Sequence, residues 1–380
     1  MGSAFLVITL ILAGLAALSL AIFLYPYLIY PLVLRRLPQR PVAQAGVPVR
    51  LSLLFCAYNE AASLPEKLAN LRTLKQAHPT IEILAFDDGS ADGTADLIAA
   101  QGDLVHLIRG GGRSGKACGM KQLAAAATGD ILVFTDANVI LDATALEKLV
   151  PYYGDPTVGG VCGTLVYSSD PGSATAEVGS LYWRLDEMLR GLESRTGNVM
   201  GADGSIFSIR RSLYPTFPDT VLDDFTVSMS VVFAGFRLIK APDVIAYEKS
   251  VSRRDEELRR KIRIGARSYH THAYLRPQLR QMKAIDRFKY TSRKLLRWFG
   301  GVFLALSGVL ALAALASISF ALAAAALALG AVVAAAALRM ERGPLAKIGD
   351  AVLATFATLI GIMKGMRGQT MVTWAPAKSR

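Results

Sequence analysis

The run from Leu6 to Leu34 is essentially without charge. As a helix it is long enough to cross a hydrocarbon core of about 30 Å, so it limits what the chain can become. A secretory signal would need a basic start, a shorter apolar stretch and a small-residue cleavage site. Here nothing basic precedes the run, and Arg35, Arg36 and Arg40 follow it. The expectation is a retained anchor over residues 1–35. A second apolar block, Trp298 to Met340, has room for two spans with a tight turn near Ser317 and Ser319, giving two helices within 298–340. Alanine dominates it, which favours close helix packing. Leu345 to Met363 is a third, weaker candidate interrupted by Lys347 and Asp350. A helix over 345–366 could cross the membrane or lie in its interface. Only with these segments in view does composition make sense: 52% of the residues are hydrophobic and the mean hydropathy is +0.36. The excess sits at the two ends, and the middle is too charged for a polytopic transporter.

Basic residues flanking the spans predict orientation. Arg35, Arg36 and Arg40 follow the first span, and Arg293, Lys294 and Arg297 precede the second, so both place residues 36–297 in the cytoplasm. From Arg253 to Arg297 there are 15 Lys and Arg against 4 Asp and Glu, in a chain whose net charge is +12. The basic character is therefore local, next to the membrane, and suited to anionic lipid headgroups or phosphates. Nucleic acid is not an expected partner, because no recognised binding module accompanies the charge. Cys56, Cys118 and Cys162 lack metal-ligand spacing and read as reduced thiols.

Between the ends, apolar strands alternate with helical patterns, which predicts a parallel α/β sheet. Leu51 to Cys56 reads as a strand, followed by a helix that Ser63 can cap and that carries Leu64, Leu68 and Leu71 on one face. Ile81 to Phe86, Leu104 to Ile108 and Ile131 to Phe134 read as further strands. Their ends deliver Tyr58-Asn59-Glu60, Asp87-Asp88 and Asp136 to one edge of the sheet, where ligands bind in open parallel sheets. After Val166 the regularity breaks down. Trp183 and Glu187 fall on a predicted helix, Gly201-Ala202-Asp203-Gly204 forms a corner before a strand at Ser205–Ile209, and Leu222-Asp223-Asp224 opens a helix to about Ala234. The dipole at a helix start could by itself account for the last two acids.

Two basic features have competing explanations. The stretch GGGRSGKA (110–117) fits G-x-x-x-x-G-K but has Ala117 where a nucleotide-hydrolysing loop needs Ser or Thr for magnesium. Its glycine amides, with Lys116 and Arg113, remain suited to phosphate. Arg259, Arg260, Lys261, Arg263 and Arg267 form a basic helix that either faces headgroups or clamps a diphosphate.

Six motifs occur in order: CAYNEA (56–61), DDGSADGT (87–94), GRSGKACGMKQ (112–122), TDAN (135–138), GADG (201–204) and LDD (222–224). Set between an N-terminal anchor and C-terminal spans, they resemble the membrane-bound family 2 glycosyltransferases of bacterial exopolysaccharide and glycolipid synthesis. The resemblance implies a GT-A catalytic domain at 50–250, an α/β nucleotide-sugar-binding fold of Rossmann-like type, with basic juxtamembrane helices at 251–297. It places Ala57, Tyr58, Glu60, Asp88 and Lys116 at the donor nucleotide and Arg260 and Arg263 near the diphosphate. Asp136 and Asn138 take the metal motif, with Mg²⁺ or Mn²⁺ as cofactor. Trp183, Gly204 and Asp223 fall in the acceptor region, and Asp224 is the general base.

The implied reaction is inverting transfer of a sugar from a nucleotide-sugar donor, expected to be a UDP-sugar, to a lipid-linked or membrane-associated acceptor. The expected location is the cytoplasmic face of the inner membrane. Two departures stand out. The metal motif reads D-A-N, so Asn138 is a neutral ligand where the family carries a second Asp, and Q-x-x-R-W is replaced by the Arg259–Arg267 stretch. The second favours single-sugar transfer over processive polymer synthesis. The first leaves open a non-catalytic scaffold of a polysaccharide assembly complex.

Overall fold

A computed structural model describes residues 3–168, 174–249, 253–340 and 342–373. The anchor is a continuous helix, α1 (Ser3–Arg36), even though Pro26 and Pro31 lie inside it. The sheet begins at β1 (Leu51–Ala57), and α2 (Leu64–Ala77) leads to β2 (Glu82–Asp87). Ser63 occupies the cap position of α2, but its hydroxyl donates to the Glu60 carboxylate (2.8 Å) and carbonyl instead of accepting from the helix. Then follow α3 (Thr94–Ala99), β3 (His106–Arg109), α4 (Lys116–Ala126), β4 (Ile131–Thr135), β5 (Ile140–Leu141) and α5 (Ala145–Leu149). The predicted strand at 104–108 thus starts later, because residues 102–104 form a 3-10 turn.

The second half is β6 (Val158–Ser168), α6 (Ala174–Arg195), β7 (Ile206–Arg210), α7 (Asp223–Phe233) and β8 (Arg237–Lys249). The expected boundary between catalytic domain and basic helices, at 250–251, lies outside the described residues. Helix α8 (Arg254–Gln281) carries the basic stretch, followed by α9 (Ala284–Tyr290), a π-helical turn at Thr291–Leu295 and the single turn α10 (Leu296–Trp298).

The strands form one sheet in the order β3-β2-β1-β4-β7-β6-β8-β5. β3, β2, β1 and β4 run parallel, β7 is antiparallel to β4 and β6, and β6 and β8 are parallel to each other. All residues of β1 and β4 are buried, as expected where helices cover both faces of a parallel sheet. Side chains alternate between two cores with the strand period of two. Leu53, Phe55 and Val133 pack under α2 and α5 in one, and Leu54, Cys56, Leu132 and Phe134 pack with α4 and α7 in the other. Parallel strands end on the same side, and that puts residues 58–60, 87–90 and 136–138 on one rim.

The C-terminal helices are α11 (Gly300–Ile318), α12 (Phe320–Arg339) and α13 (Pro344–Met366). With α1 they make four helices long and apolar enough to cross a membrane. α1 and α11 run antiparallel, tied by Thr9–Ser317 (2.6 Å), Ser307 to the Ala16 carbonyl (3.0 Å) and Ser19 to the Phe303 carbonyl (2.8 Å). Leu10, Val309 and Phe320 stand exposed on this bundle, the arrangement expected of a lipid-facing surface.

α13 packs along α8. A side chain on Gly361 would meet the Ile262 carbonyl at 2.3 Å and Gly265 Cα at 3.0 Å. Asp350, one of the charges that interrupts the apolar pattern, is buried and accepts a hydrogen bond from Arg254 at 2.5 Å.

Candidate active site

Three loops at the ends of parallel strands build the first half of the site. Asn59, after β1, adopts a left-handed conformation (φ 52°), which Asn tolerates better than most residues. Its side-chain oxygen accepts from the Ala91 amide (2.9 Å) and its own amide donates to Ser90 (3.0 Å), while the Glu60 amide donates to Thr94 (2.9 Å). The loops after β1 and β2 are thereby stitched into one wall. Asp88, fully buried, accepts from the amides of Ser114 (2.7 Å) and Gly115 (2.9 Å) and from the Ser114 hydroxyl (2.9 Å). A carboxylate so satisfied fixes the glycine-rich loop before α4. Arg113, within 3.5 Å of Asp88, lays its guanidinium 3.2 Å from the centre of the Tyr58 ring. Of the residues expected at the nucleotide, Tyr58, Glu60 and Asp88 line this wall. Ala57 enters differently: its side chain is in the core, and its carbonyl accepts the Asp88 amide (2.9 Å).

Lys116 directly follows Gly115, whose amide is held by Asp88 in this wall. As the first residue of α4 it reaches across to the acids, with Nζ 2.5 Å from Asp136 and 3.9 Å from Asp223. Burial alone would lower its pKa. The carboxylates of Asp136, Asp223 and Asp224 reverse that and raise it. Gly204, from the corner before β7, closes the cluster. A Cβ there would stand 2.7 Å from Lys116 Nζ, 3.6 Å from Asp136 Oδ2 and 3.7 Å from Asp224 Oδ2. Asp136, Asp223, Asp224, Gly204 and Lys116 are therefore one constellation, drawn from β4, α7, the 201–204 corner and α4.

The start of α7 is held from outside the sheet. The Leu222 amide donates to Thr271 (2.8 Å), and the buried Arg267 donates to the Val221 carbonyl, both from α8. Asp224 keeps part of its surface open to the cleft while protein surrounds the rest. That burial, followed by the neighbouring Asp223 charge, pushes its carboxyl up to about 6 against the opposing pull of Lys116. A carboxylate tuned into this range can accept a proton near neutral pH. Beneath Asp136, the buried Lys67 donates to the Val139 carbonyl (2.6 Å), and burial lowers its ammonium to about 7.

The metal motif takes its own form here. Asn138 turns its amide nitrogen to Glu248 Oε1 on β8 (3.1 Å), which leaves the amide oxygen for other work. Among the described residues no group of three or more His, Cys, Asp or Glu could hold a metal ion alone. An ion held by Asp136 and the Asn138 oxygen would have to take its remaining ligands from water and substrate phosphates. Glu248 restores the negative charge that position 138 lacks. Long-range pairing of β8 with the β4–β5 segment brings it there, and nothing local in the sequence announces it.

Arg260 is paired in bidentate fashion with Glu257 (2.8 and 3.1 Å), and Arg263 is half-buried one turn further along α8. Trp183 is pinned by its indole nitrogen to the Leu165 carbonyl (2.8 Å) and stacked under Arg190 (5.0 Å), which also pairs with Asp203. It thus joins the site through Asp203, beside Gly204, without contacting the acids. Arg190, Glu248 and Thr271 were not distinguished by sequence alone, and neither were the partners of Asp203 and Arg267, because tertiary packing sets them. Beyond α13 the chain returns across the glycine-rich loop. Val372 sits where a side chain on Gly115 would be 2.9 Å from its Cγ1, and the Gln369 carbonyl accepts from His270 (3.0 Å).

A mixed sheet with a parallel nucleotide-binding half, ending in an acid cluster closed by a later helix, defines the GT-A class. Residues 52–216 match the family Glycosyl transferase family 2, and this stretch is a family 2 glycosyltransferase domain. Among solved structures, the chain is similar to the mannosyltransferase PcManGT from Pyrobaculum calidifontis, determined with GDP-Man and Mn²⁺. The identity is 26% over 94% of this chain and 99% of that one, with a TM-score of 0.73. It is also 26% identical over 216 residues to an N-acetylglucosaminyltransferase of Azorhizobium caulinodans, covering 52% of this chain and 54% of the relative. The poly-beta-1,6-N-acetyl-D-glucosamine synthase of Staphylococcus aureus is 26% identical over 201 residues, 50% and 48% of the two chains. The chain spans about half the length of these two curated relatives.

Proposed function

We propose that this protein transfers one sugar, with inversion, from a nucleotide-sugar donor to a membrane-associated acceptor in exopolysaccharide or glycolipid synthesis. The observation that carries the reading is the Asp136–Lys116–Asp224 cluster. It stands beside the Asp88-braced loop and below helices that lead to the membrane spans. The nucleoside would lie against Tyr58 and Asp88, with its diphosphate directed to Lys116 and the Asp136–Asn138 pair. Asp224 accepts the proton of the acceptor hydroxyl as that oxygen bonds to the anomeric carbon and the bond to the β-phosphate breaks. A base so placed contributes about 10²–10⁴-fold. A bound Mg²⁺ or Mn²⁺, held by Asp136 and the Asn138 oxygen, would neutralise charge on the departing diphosphate. Arg260, which feels the charge of Glu248, is read as supporting the diphosphate side of the cleft. Single-sugar transfer is favoured because the Arg259–Arg267 stretch replaces the Q-x-x-R-W sequence of processive relatives. A cytoplasmic placement of the catalytic domain follows from the basic residues flanking α1 and α11.

The purified protein should release nucleoside diphosphate from one member of a panel of UDP-, GDP- and dTDP-sugars when acceptor-containing membranes are supplied. Chelation should abolish the release, and Mn²⁺ or Mg²⁺ should restore it. Long polymer formed from one donor sugar would instead identify a processive synthase. Silence across the whole panel would leave the scaffold alternative standing.

A further inference from the structure

Between the acid cluster and the membrane helices lies a second concentration of charge that the transfer reaction does not use. Asp186 on α6 accepts from three guanidiniums: Arg190 (2.9 Å), Arg293 (2.8 Å) and Arg297 (2.8 Å). Glu193 takes the other arm of Arg293 (2.6 Å), and Asp203 takes the other arm of Arg190. Glu187 also meets Arg190 at 3.9 Å and pairs with Lys240, so four acids meet five cations once Lys294, which belongs to the same group, is included.

Lys294 is the surplus. Among the described residues it makes no hydrogen bond and no ion pair, and its ammonium rests 5.0 Å from the centre of the Phe225 ring. Two of the neighbouring guanidiniums are also incomplete: Arg297 Nη2 and Arg293 Nε are buried with no hydrogen-bond partner. Buried donors without acceptors are costly, and a site holding several of them together is short of an anion. Burial, then the Arg293 charge, holds the Lys294 ammonium down to about 7, a cost that a bound anion would relieve.

Position narrows the chemistry. Lys294 lies in the π-helical turn Thr291–Leu295, a local distortion frequent at functional sites. Arg297 precedes the membrane helix α11 by three residues, so the group sits at the level of lipid headgroups. On the other side, Phe225 directly follows Asp224, and its ring fills the space beside Gly201. An anion here would be one aromatic ring away from the proposed base. Tyr182, exposed, covers Arg297 at 4.6 Å and Lys261 at 4.9 Å, which adds an apolar wall suited to an acyl or isoprenoid chain.

We infer that Lys294, with Arg297 beside it, binds the phosphate of a lipid-linked acceptor and presents that acceptor to Asp224. The inference rests on the transferase reading given above. In it, Lys294 and Arg297 donate to phosphate oxygens while the lipid chain leaves along α1 and α11.

The test uses the full chain in phosphatidylcholine nanodiscs, with undecaprenyl phosphate as probe and undecaprenol, phosphatidylglycerol and inorganic phosphate as controls. Undecaprenyl phosphate should be retained by the native protein and lose about tenfold or more in affinity in Lys294→Gln, as expected for a charge-assisted contact. Lys294→Arg should restore most of it, and GDP and UDP affinities should not change. Equal retention by Lys294→Gln, or of undecaprenol, would overturn the site. Displacement by an equal amount of phosphatidylglycerol, or Lys294-dependent binding of inorganic phosphate alone, would overturn the assignment to an acceptor lipid. Nucleoside diphosphate release in nanodiscs that also carry the acceptor-containing membrane lipids separates the two readings. Asp224-dependent transfer with no dependence on Lys294 removes this site and keeps the enzyme.

Discussion

Asp224 gains its proposed role from its immediate surroundings. An Asp ordinarily ionises near 3.8, and here burial and Asp223 push it up to about 6. Because the raised group is protonated below that value, transfer should fall about tenfold per pH unit on the acid side of pH 6. The kcat/KM profile is the measurement, since it reports the free enzyme. Asp224→Asn should lower transfer by about 10²-fold or more while nucleotide binding persists, and the acid limb should vanish with it. Full activity in this variant would remove Asp224 as the base. Gly204 makes a separate prediction. A methyl group at 204 meets the end of a flexible Lys116 side chain at 2.7 Å, so Gly204→Ala should fold normally but displace that ammonium from Asp136. We expect about 10–10²-fold lower kcat with an unchanged circular dichroism spectrum. Asp88, Asp136 and Asp224 were legible in sequence because each follows a strand or opens a helix in a recognisable motif. Glu248 was not, since nothing in its neighbours marks it and only long-range pairing brings it to the site; Arg267 was legible as part of the basic helix but not as the brace on Val221.

Elements set the precision of those residues. α7 starts where it does because Thr271 and Arg267 of α8 hold the two residues before Asp223. The basic helix is thus in part a structural brace: Arg267 is buried, and Arg260 is tied to Glu257. α8 is in turn clasped by α13 through glycines that let the two backbones touch. Gly361→Val would drive a side chain into the Ile262 carbonyl, which cannot move aside as a side-chain tip can. It should cost about 1–3 kcal/mol. The expected signs are a lower melting temperature and proteolytic cleavage between α12 and α13, and unaltered protease resistance would show that the clasp is dispensable. The pattern of apolar residues showed that a helix exists at 345–366. It did not show the partner, because glycine contacts leave no periodic signal.

At the scale of the whole molecule, the catalytic domain and the membrane helices are locked by buried charge. Tyr30 of α1 donates to Glu193 (2.7 Å), which also holds Arg293, and Asp186 gathers three guanidiniums from α6, the π turn and α10. Removing one member of such a buried network strands the others, at a cost of about 3–5 kcal/mol. Asp186→Asn should therefore show a large loss of thermal stability in detergent, and a loss within experimental error would refute this account of the lock. Burial would raise the Asp186 pKa, but Arg293, Arg190 and Arg297 hold it well below 3.8. A depressed carboxyl contributes stability that is complete above its unfolded value and is lost only as pH falls through the folded one. The lock should thus survive mild acid, down to and somewhat below pH 4, under conditions where Asp224 is already protonated.

TDAN (135–138) and the five motifs around it determined the fold class and the strand ends that bear the acids, and the apolar runs at the two ends determined the membrane-flanked architecture. These are local matters of strand and helix period, of apolar length and of residues placed just after a strand. The tertiary structure decided what those residues face. It turned the Lys116 ammonium to the acids, gave Asn138 a carboxylate partner in Glu248, and left Lys294 without an ion-pair partner among the described residues. Side-chain partnerships across a sheet or between distant helices depend on packing and register summed over the whole chain. No stretch of sequence carries that sum by itself.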